Sequence, residues 1–337
     1  MSDRNSPRHA FLQRAGWDRA ASAFLAGDAS DRSYDRLTRG TETAVLMEAP
    51  PGSGDDPATF IAVADHLART GLSAPQLLAA DLPSGFLLLE DFGDAVFAKV
   101  IEAAPAMEPM LYTTALDALQ VLQSNPAMPG LPALSLAEWA AAAALVIDQY
   151  RGAVTDDPCD TSAFIDCLST LLADVEKGPP VMILRDFHAE NLIWLPDRQG
   201  PAKAGLLDFQ LAQMGHPVYD AVSLLQDARR DVRGDVAAMA GRHFCNITGM
   251  SDHTFHTAMA VWGAQRALRI LGIFARLARQ QGKRAYVKLI PRVWQHLQMN
   301  LAHPQLAGLQ RVCDSLLPPP TPEVLGKLCN EGTPING

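Results

Sequence analysis

The chain has 337 residues, of which 48% are hydrophobic and 19% are charged, and its formal net charge at pH 7 is −9. This composition is typical of a globular protein that is long enough for two lobes and a large core. The acidic balance, and a sequence without any run of Lys and Arg, argue against nucleic acid as a partner.

The first ninety or so residues are predicted to be rich in strands. Short apolar stretches bounded by turn residues indicate strands, whereas apolar residues at helical spacing indicate helices. Gly71 is a typical end for one of these helices. The predicted elements are a helix at residues 11–24, a polar loop at 28–33, strands at 34–38 and 43–48, a mobile loop at 50–57, a helix at 59–70 and a strand from residue 86 onward.

From about residue 96 onward the apolar periodicity is almost entirely helical. We therefore predict a small mixed domain at residues 1–92 and a larger helical domain at residues 93–337. The predicted helical stretches of the larger domain include residues 111–122, 139–150, 159–175, 218–245 and 259–278.

Cysteine usage and apolar runs restrict the compartment. The five cysteines are scattered and include no Cys-x-x-Cys pair, so we expect free thiols in a reducing cytoplasm rather than disulfides or a zinc site. The longest apolar run, at residues 139–147, is too short to cross a bilayer. Residues 1–14 lack the apolar core of a signal peptide. We therefore expect a cytoplasmic monomer with no membrane partner.

An acidic and amide pattern lies within the helical part of the chain. Asp186 stands five positions before Asn191, and Asp208 follows two short apolar segments, 192–195 and 203–207, with a dense turn signal between them. A hairpin of these segments would bring Asn191 close to Asp208. Amide and carboxylate oxygens suit Mg²⁺, and a further carboxylate can orient an attacking hydroxyl, so the pattern predicts phosphoryl transfer from a nucleotide. The alternative is that all three are turn or strand-end residues.

This pattern, together with the segment Leu89-Glu90-Asp91-Phe92-Gly93, resembles the aminoglycoside phosphotransferase family. The resemblance implies an α+β, bilobal protein-kinase-like fold with a small β-rich N-lobe and a larger, mainly α-helical C-lobe. Further segments resemble one branch of that family, the bacterial kinases that phosphorylate the anomeric hydroxyl of N-acetylmuramate and N-acetylglucosamine in peptidoglycan recycling. These segments lie at residues 25–30, 44–51, 271–277 and 291–294.

The resemblance implies ATP and Mg²⁺ as cofactors, a small amino sugar as the substrate, and a catalytic hairpin at residues 184–210. Asp186 matches the catalytic residue, and Asn191 and Asp208 match the metal ligands. The connector whose backbone would bond the adenine edge matches Glu90, Asp91 and Phe92. The loop over the phosphates matches Gly27, Asp28, Ala29 and Ser30. Small residues allow backbone N–H groups to approach phosphate oxygens, although this tetrapeptide is also ordinary turn chemistry.

Three positions depart from the pattern of the wider family. Leu184 stands where a histidine is common, and Gln210 follows Phe209 where a glycine is common. Met47 occupies the position at which kinases of this fold place a lysine on the α- and β-phosphates. Arg36, on the neighbouring strand, is the candidate for the missing charge, with Arg32 behind it. The alternatives are that both are surface arginines, or that Mg²⁺ and backbone donors suffice.

The acceptor site is less well defined by the sequence. Arg266, Arg269 and Arg276 share one helix face, which could meet the lactyl carboxylate of a muramic acid or could be a solvated face. Asp220 matches a buried aspartate that braces the catalytic loop, although a charge at a helix N-terminus would also explain it. His188 is either a cleft residue or a structural one.

Two other functions remain open at this point. The first is a kinase for another small hydroxylated molecule, such as an aminoglycoside, choline or a homoserine-like acceptor. The second is a catalytically inactive nucleotide-binding module that regulates a partner, which only the missing lysine supports. An aminoglycoside enzyme usually presents an acidic acceptor cleft, and a total charge of −9 does not locate such a cleft.

Overall fold

The computed structural model describes residues 5–27, 32–52, 56–155 and 157–329. The strands of this part of the chain are β1 (Ala21–Gly27), β2 (Ser33–Arg39), β3 (Glu42–Glu48), β4 (Leu77–Asp81), β5 (Phe86–Glu90), β6 (Val181–Ile183), β7 (Leu192–Trp194), β8 (Ala204–Leu206) and β9 (Gln213–Gly215). Its helices are α1 (Asn5–Ala15), α2 (Pro57–Arg69), α3 (Phe97–Ala103), α4 (Glu108–Ser124), α5 (Leu136–Ala143), α6 (Ser162–Val175), α7 (Tyr219–Leu225), α8 (Gly234–Thr248), α9 (Asp252–Gln281), α10 (Ile290–Leu301), α11 (Ala307–Leu316) and α12 (Pro322–Cys329).

The chain divides into two compact units, each built from two stretches of sequence. The first consists of Met1–Met128 and Ala189–Ala212, and the second of Pro129–His188 and Gln213–Gly337. The first unit contains the large sheet and the β7–β8 hairpin, whereas the second is mainly helical. The lobe boundary expected after residue 92 stays a prediction.

A five-stranded antiparallel sheet, in the order β1-β2-β3-β5-β4, forms the centre of the first unit. One face of this sheet packs against α1 and the residues after it. The buried residues of that layer are Phe11, Leu12, Trp17, Leu37, Ala44, Leu46, Phe86 and Leu88. Because side chains alternate across a strand, Arg36, Val45 and Met47 belong to the opposite face.

The β2–β3 hairpin confirms the two strands predicted at residues 34–38 and 43–48. Its register leaves Gly40 and Thr41 as a two-residue turn. Gly40 has a φ of 61°, in the left-handed region that such turns require and that glycine adopts without steric cost.

The prediction of a helix at residues 11–24 is wrong in its second half. The helix ends at Ala15, Gly16 follows with a φ of 75°, and the chain then enters β1. Strand β4 was not predicted from the sequence either. Strands β1 and β4 lie at the two edges of the sheet, where Phe24 is 73% exposed and Leu78 is 48% exposed. An edge strand pairs on one side only and needs no buried alternation, so its apolar periodicity is weak.

The loop expected at residues 50–57 is one residue too long at its end, because helix α2 already begins at Pro57. Residues 53–55 lie outside the described part of the chain. Asp56 is the N-cap of α2, because its Oδ1 accepts a hydrogen bond of 2.9 Å from the backbone N–H of Ala58. The helix predicted at residues 59–70 is confirmed.

Helix α9, with 30 residues, is the main packing element of the second unit. A short π-helical turn, Val146–Tyr150, packs against it next to α5. The approach is closest at Gly272, where a Cβ atom would lie 2.6 Å from the carbonyl carbon of Leu145. Only a residue without a side chain therefore fits at this crossing.

The helical stretch predicted at residues 218–245 is interrupted. Its two parts are α7 and α8, and Asp227 lies buried between them. The carboxylate of Asp227 accepts a hydrogen bond of 2.8 Å from the N–H of Arg229. Such a local side-chain bond competes with the helical hydrogen bond and ends the helix.

Two further properties of the chain concern its thiols and its apolar helices. All five cysteines carry free thiols, as predicted. Across the described residues, no helix combines the length and the apolar character that crossing a membrane requires.

Candidate active site

Asp186 follows β6 in the second unit, at the end of a segment held by a buried carboxylate. The Oδ2 of Asp220 accepts the N–H of Leu184 at 2.6 Å, and its Oδ1 accepts the N–H of Arg185 at 2.8 Å. Burial raises the pKa of Asp220 to about 6, and the two hydrogen bonds oppose that rise. Asp220 therefore braces the segment before Asp186, as predicted, and the catalytic role of that segment stays a prediction.

This brace fixes an unusual backbone conformation. Arg185 has a φ of 73°, in the left-handed region that residues with a Cβ atom seldom adopt. Its amide is one of the two that Asp220 holds, so the buried carboxylate stabilises the turn that presents Asp186. Arg185 lies between Leu184 and Asp186 in the sequence, and no sequence pattern singled it out.

Asn191 and Asp208 lie together in the first unit, at the open end of the β7–β8 hairpin. The strands pair in antiparallel register, and the N–H of Leu207 donates to the carbonyl of Asn191 at 3.0 Å. The Nδ2 of Asn191 lies 3.4 Å from the Oδ2 of Asp208. The predicted hairpin, and the closeness of these two side chains, are therefore confirmed.

Two further side chains hold the carboxylate of Asp208. The guanidinium of Arg32 lies 3.3 Å from its Oδ1, and the Nε2 of Gln210 donates to the same oxygen at 2.7 Å. Arg32 is buried, with 6% of its surface exposed. Asp208 has a φ of 55°, so its backbone is also left-handed. The glutamine that departs from the family pattern thus orients the carboxylate.

The pair formed by Asn191 and Asp208 fits a hard divalent cation. Both side chains carry oxygen donors, and half a turn of the Asn191 amide would present its oxygen in place of its NH₂ group. The held Oδ1 of Asp208 leaves the Oδ2 on the side of Asn191. Mg²⁺ commonly takes one or two protein oxygens and completes its shell with water and phosphates.

The face of the sheet that carries Met47 lacks a lysine at that position. Met47 is 1% exposed and lies opposite Tyr34 in the β2–β3 register, and Arg36 lies opposite Val45 on the same face. Arg36 therefore stands on the strand and the face on which it was expected.

The charge of Arg36 is already balanced by two carboxylates. Its Nε lies 2.7 Å from Asp91 and its Nη1 lies 2.9 Å from Asp94. A phosphate contact would require the guanidinium to leave one or both of them. Its role as a phosphate ligand stays a prediction, and Arg32 is the arginine that lies beside the metal-binding pair.

The connector residues have structural roles of their own. Glu90 forms an ion pair of 2.6 Å with Arg198, whose guanidinium lies over the ring of Phe92 at 4.9 Å. The same ring lies close to Gly205, where a Cβ atom would come within 2.9 Å of it. These contacts fix the backbone of the segment that is expected to meet adenine, and that role stays a prediction.

The loop predicted over the phosphates is only partly described. Gly27 is the last residue of β1. Asp28, Ala29 and Ser30 lie outside the described residues, so their predicted role is unchanged.

The three arginines predicted to share a helix face have different surroundings. Arg266 is buried and donates to the Oγ of Ser223 at 2.7 Å, so it is structural. Arg269 and Arg276 instead line a cleft of about 310 Å³ between α9 and the segment after α5. His188 is buried and its Nε2 lies 3.0 Å from Arg229. Burial, followed by nearby arginine charges, lowers the pKa of His188, so its ring is neutral.

Comparison with known proteins decides the family. The model of the phosphotransferase enzyme family matches residues 22–256, a stretch that includes Asp186, Asn191 and Asp208. The chain belongs to this family. The protein is therefore a phosphotransferase, as its sequence motif predicts.

Two curated relatives of the phosphotransferase are both named N-acetylmuramate/N-acetylglucosamine kinase. The relative from Caulobacter vibrioides is 34% identical over 355 residues, which cover 94% of this chain and 98% of the relative. The relative from Pseudomonas aeruginosa is 33% identical over 315 residues, which cover 89% of this chain and 91% of the relative.

The fold of the phosphotransferase is similar to that of aminoglycoside 2′-phosphotransferase-IIIa, solved as a GDP complex. The TM-score is 0.61 at 14% sequence identity, over 89% of this chain and 99% of that chain. The predicted α+β, bilobal protein-kinase-like fold is confirmed.

Proposed function

We propose that this phosphotransferase uses ATP and Mg²⁺ to phosphorylate the anomeric hydroxyl of N-acetylmuramate and N-acetylglucosamine, as a step in peptidoglycan recycling. The observation that carries the proposal is the relative from Caulobacter vibrioides, named as a kinase of these two sugars and matched over 94% of this chain at 34% identity. Similarity of that extent includes the helical half of the chain as well as the motif.

In the proposed mechanism Asp186 accepts a hydrogen bond from the 1-hydroxyl of the sugar and takes up its proton. An anomeric hydroxyl is more acidic than an ordinary alcohol, so a carboxylate suffices as the base. The brace from Asp220 keeps the Asp186 segment in one conformation, which favours an in-line approach to the phosphorus.

Asn191 and Asp208 would hold Mg²⁺ against the phosphates. A cation bound there would offset the negative charge of the triphosphate. Gln210 and Arg32 keep the Asp208 carboxylate in one orientation. Arg32 also brings a positive charge beside Asp208, and we propose that it supports the phosphates in place of the missing strand lysine.

The test is an acceptor screen that measures ADP release with N-acetylmuramate, N-acetylglucosamine, glucose and kanamycin. We expect release with the two N-acetyl sugars, accompanied by an equal loss of reducing ends, because a C1 phosphate blocks the reducing end. The matched control is Asp186→Asn, which keeps the size of the side chain and should lower turnover by roughly 10³-fold. Turnover of kanamycin alone, or ADP release without loss of reducing ends, would contradict the proposal.

A further inference from the structure

An open cleft of about 310 Å³ lies within the second unit. Its walls come from α5, from the segment that follows α5, and from α9. Leu145 and Ile273 supply apolar surface, Asp148 supplies one carboxylate, and Arg269 and Arg276 supply two guanidinium groups. A pocket of this size that combines charged groups with some apolar surface suits a single sugar.

The two arginines of this cleft are not used by the fold. Among the described residues, no hydrogen bond or ion pair engages the guanidinium of Arg269 or Arg276, and none joins either to Asp148. By contrast, Arg279 on the same helix donates to the carbonyl of Gln149 at 3.3 Å. Arginines that a fold leaves unengaged in a concave site are suited to bind an anion.

A third arginine, Arg185, belongs to the segment that carries Asp186. Arg185 directly precedes Asp186, and its Nε is buried without a hydrogen-bond partner in the part of the chain that the structure describes. Burial lowers the pKa of Arg185, and the positive charge of Arg269 lowers it further. Tyr219, Asp186 and Asp220 act in the opposite direction on that pKa.

An anion between Arg185 and Arg269 would stabilise both positive charges. Asp220 does not supply it, since its two oxygens are already engaged by backbone N–H groups. A carboxylate on the bound acceptor would satisfy both guanidinium groups and would hold the acceptor beside Asp186. The fork geometry of arginine matches a carboxylate better than it matches a neutral hydroxyl.

We propose that this cleft binds the acceptor and that Arg185 and Arg269 recognise a carboxylate on it, which makes an acidic sugar the preferred substrate. The inference rests on the proposed function, because of the two sugars only N-acetylmuramate carries a carboxylate, on its lactyl group. Arg276 adds long-range attraction at the mouth of the cleft, and the apolar side chains of Leu145 and Ile273 accept the methyl groups of the sugar. The same charges disfavour polycationic acceptors such as aminoglycosides.

The test compares kcat/KM for N-acetylmuramate with kcat/KM for N-acetylglucosamine in the full chain, because their ratio cancels a general loss of activity. Arg269→Gln should lower the ratio by about tenfold or more, mainly through KM for N-acetylmuramate, and Arg269→Lys should recover part of it. The matched control is Arg279→Gln, on the same helix but outside the cleft, which should leave the ratio unchanged.

A second measurement uses the methyl ester of N-acetylmuramate, which has nearly the same size but no charge. The wild type should prefer the acid over the ester by about tenfold, and Arg269→Gln should lose this preference. If both sugars are phosphorylated and neither ratio changes in Arg269→Gln, the inference is overturned while the proposed function stands. If neither sugar is phosphorylated, both are overturned.

Discussion

Within the described residues, two residues other than glycine have left-handed backbones, and both belong to the candidate site. They are Arg185, with a φ of 73°, and Asp208, with a φ of 55°. Such a conformation costs on the order of 1 kcal/mol for a residue with a Cβ atom, and it persists only where surrounding contacts hold it. Here the contacts come from Asp220 in one unit and from Arg32 and Gln210 in the other. The two left-handed positions therefore lie in the segments that are predicted to carry the catalytic residue and the metal ligands.

The two arginines proposed for the phosphate site, Arg32 and Arg36, can be distinguished by how their replacement changes KM for ATP. Arg32→Ala should raise KM for ATP by about tenfold, the usual effect of one charge-assisted hydrogen bond, and should also lower kcat because Asp208 loses a partner. Arg36→Ala should have a smaller effect, because Asp91 and Asp94 already balance its charge. Steady-state kinetics with ATP as the varied substrate measures both.

A larger increase of KM for ATP in Arg36→Ala than in Arg32→Ala would indicate that Arg36 is the phosphate ligand. Arg32→Lys is the conservative variant and should recover much of the ATP affinity, since it restores the charge but not the fork of arginine. An unchanged KM in Arg32→Ala would leave the missing lysine without a replacement among these two residues.

The sequence predicted the local part of the site and not the distant part. Asn191 and Asp208 could be placed together because a single short hairpin joins them. The contact between Arg32 and Asp208 spans 176 positions, and that between Arg36 and Asp91 spans 55, so no local pattern reports either. The left-handed backbone of Arg185 is likewise a consequence of tertiary contacts with Asp220.

At the scale of secondary structure, the crossing of α9 with the π-helical turn determines the geometry of the cleft. The same two elements meet closely at Gly272 and supply most of the residues that line the cleft. A π-helical turn interrupts the regular hydrogen bonding of a helix and redirects the side chains next to it. The helix was predictable from periodicity over residues 139–150, whereas the π-helical turn depends on packing against α9.

The close approach of α9 to the backbone of Leu145 can be tested by adding one methyl group at Gly272. Gly272→Ala should destabilise the protein by roughly 1–3 kcal/mol, because the new Cβ would meet the backbone of Leu145 at 2.6 Å. The matched control is Gly326→Ala in α12, where nothing lies within 4 Å and the change should be neutral or stabilising by up to about 1 kcal/mol. Urea unfolding at pH 7 measures both. Equal stabilities of the two variants would contradict the close approach.

At the scale of the whole molecule, buried titratable groups make stability depend on pH. Burial lowers the pKa of His216 to about 4 and that of His296 to about 4. The neutral ring of His216 accepts a hydrogen bond of 3.1 Å from the N–H of Val218, which protonation would break. Both groups bind protons more readily in the unfolded chain, so they destabilise the fold as the pH falls from about 6.5 to about 4.

Asp220 changes the stability in the opposite direction over part of this pH range. Its pKa of about 6 lies above that of an unfolded aspartate, so the folded state gains stability as the pH falls through 6. Burial also lowers the pKa of His188, which acts in the same direction as His216 and His296, and together the three histidines outweigh this single group. We expect the free energy of unfolding to be lower at pH 5 than at pH 7 by on the order of 2 kcal/mol.

Urea unfolding at pH 7 and pH 5 measures this difference, and His216→Gln should reduce it because one of the proton-binding groups is removed. A chain that is equally stable or more stable at pH 5 would show that these histidines are not buried in the neutral form. The variant His303→Gln is a suitable control, since His303 is partly exposed.

The division of the chain into two units also bears on how such an enzyme can be recombined. The chain passes from one unit to the other after Met128, after His188 and after Ala212. The second of these passages falls between Asp186 and Asn191, so the two proposed roles of base and metal ligand belong to different units although they are five positions apart. A chimaera that takes the whole first unit from a related kinase therefore needs three junctions. A single-crossover library would instead exchange fragments of units, and we expect few of its members to fold.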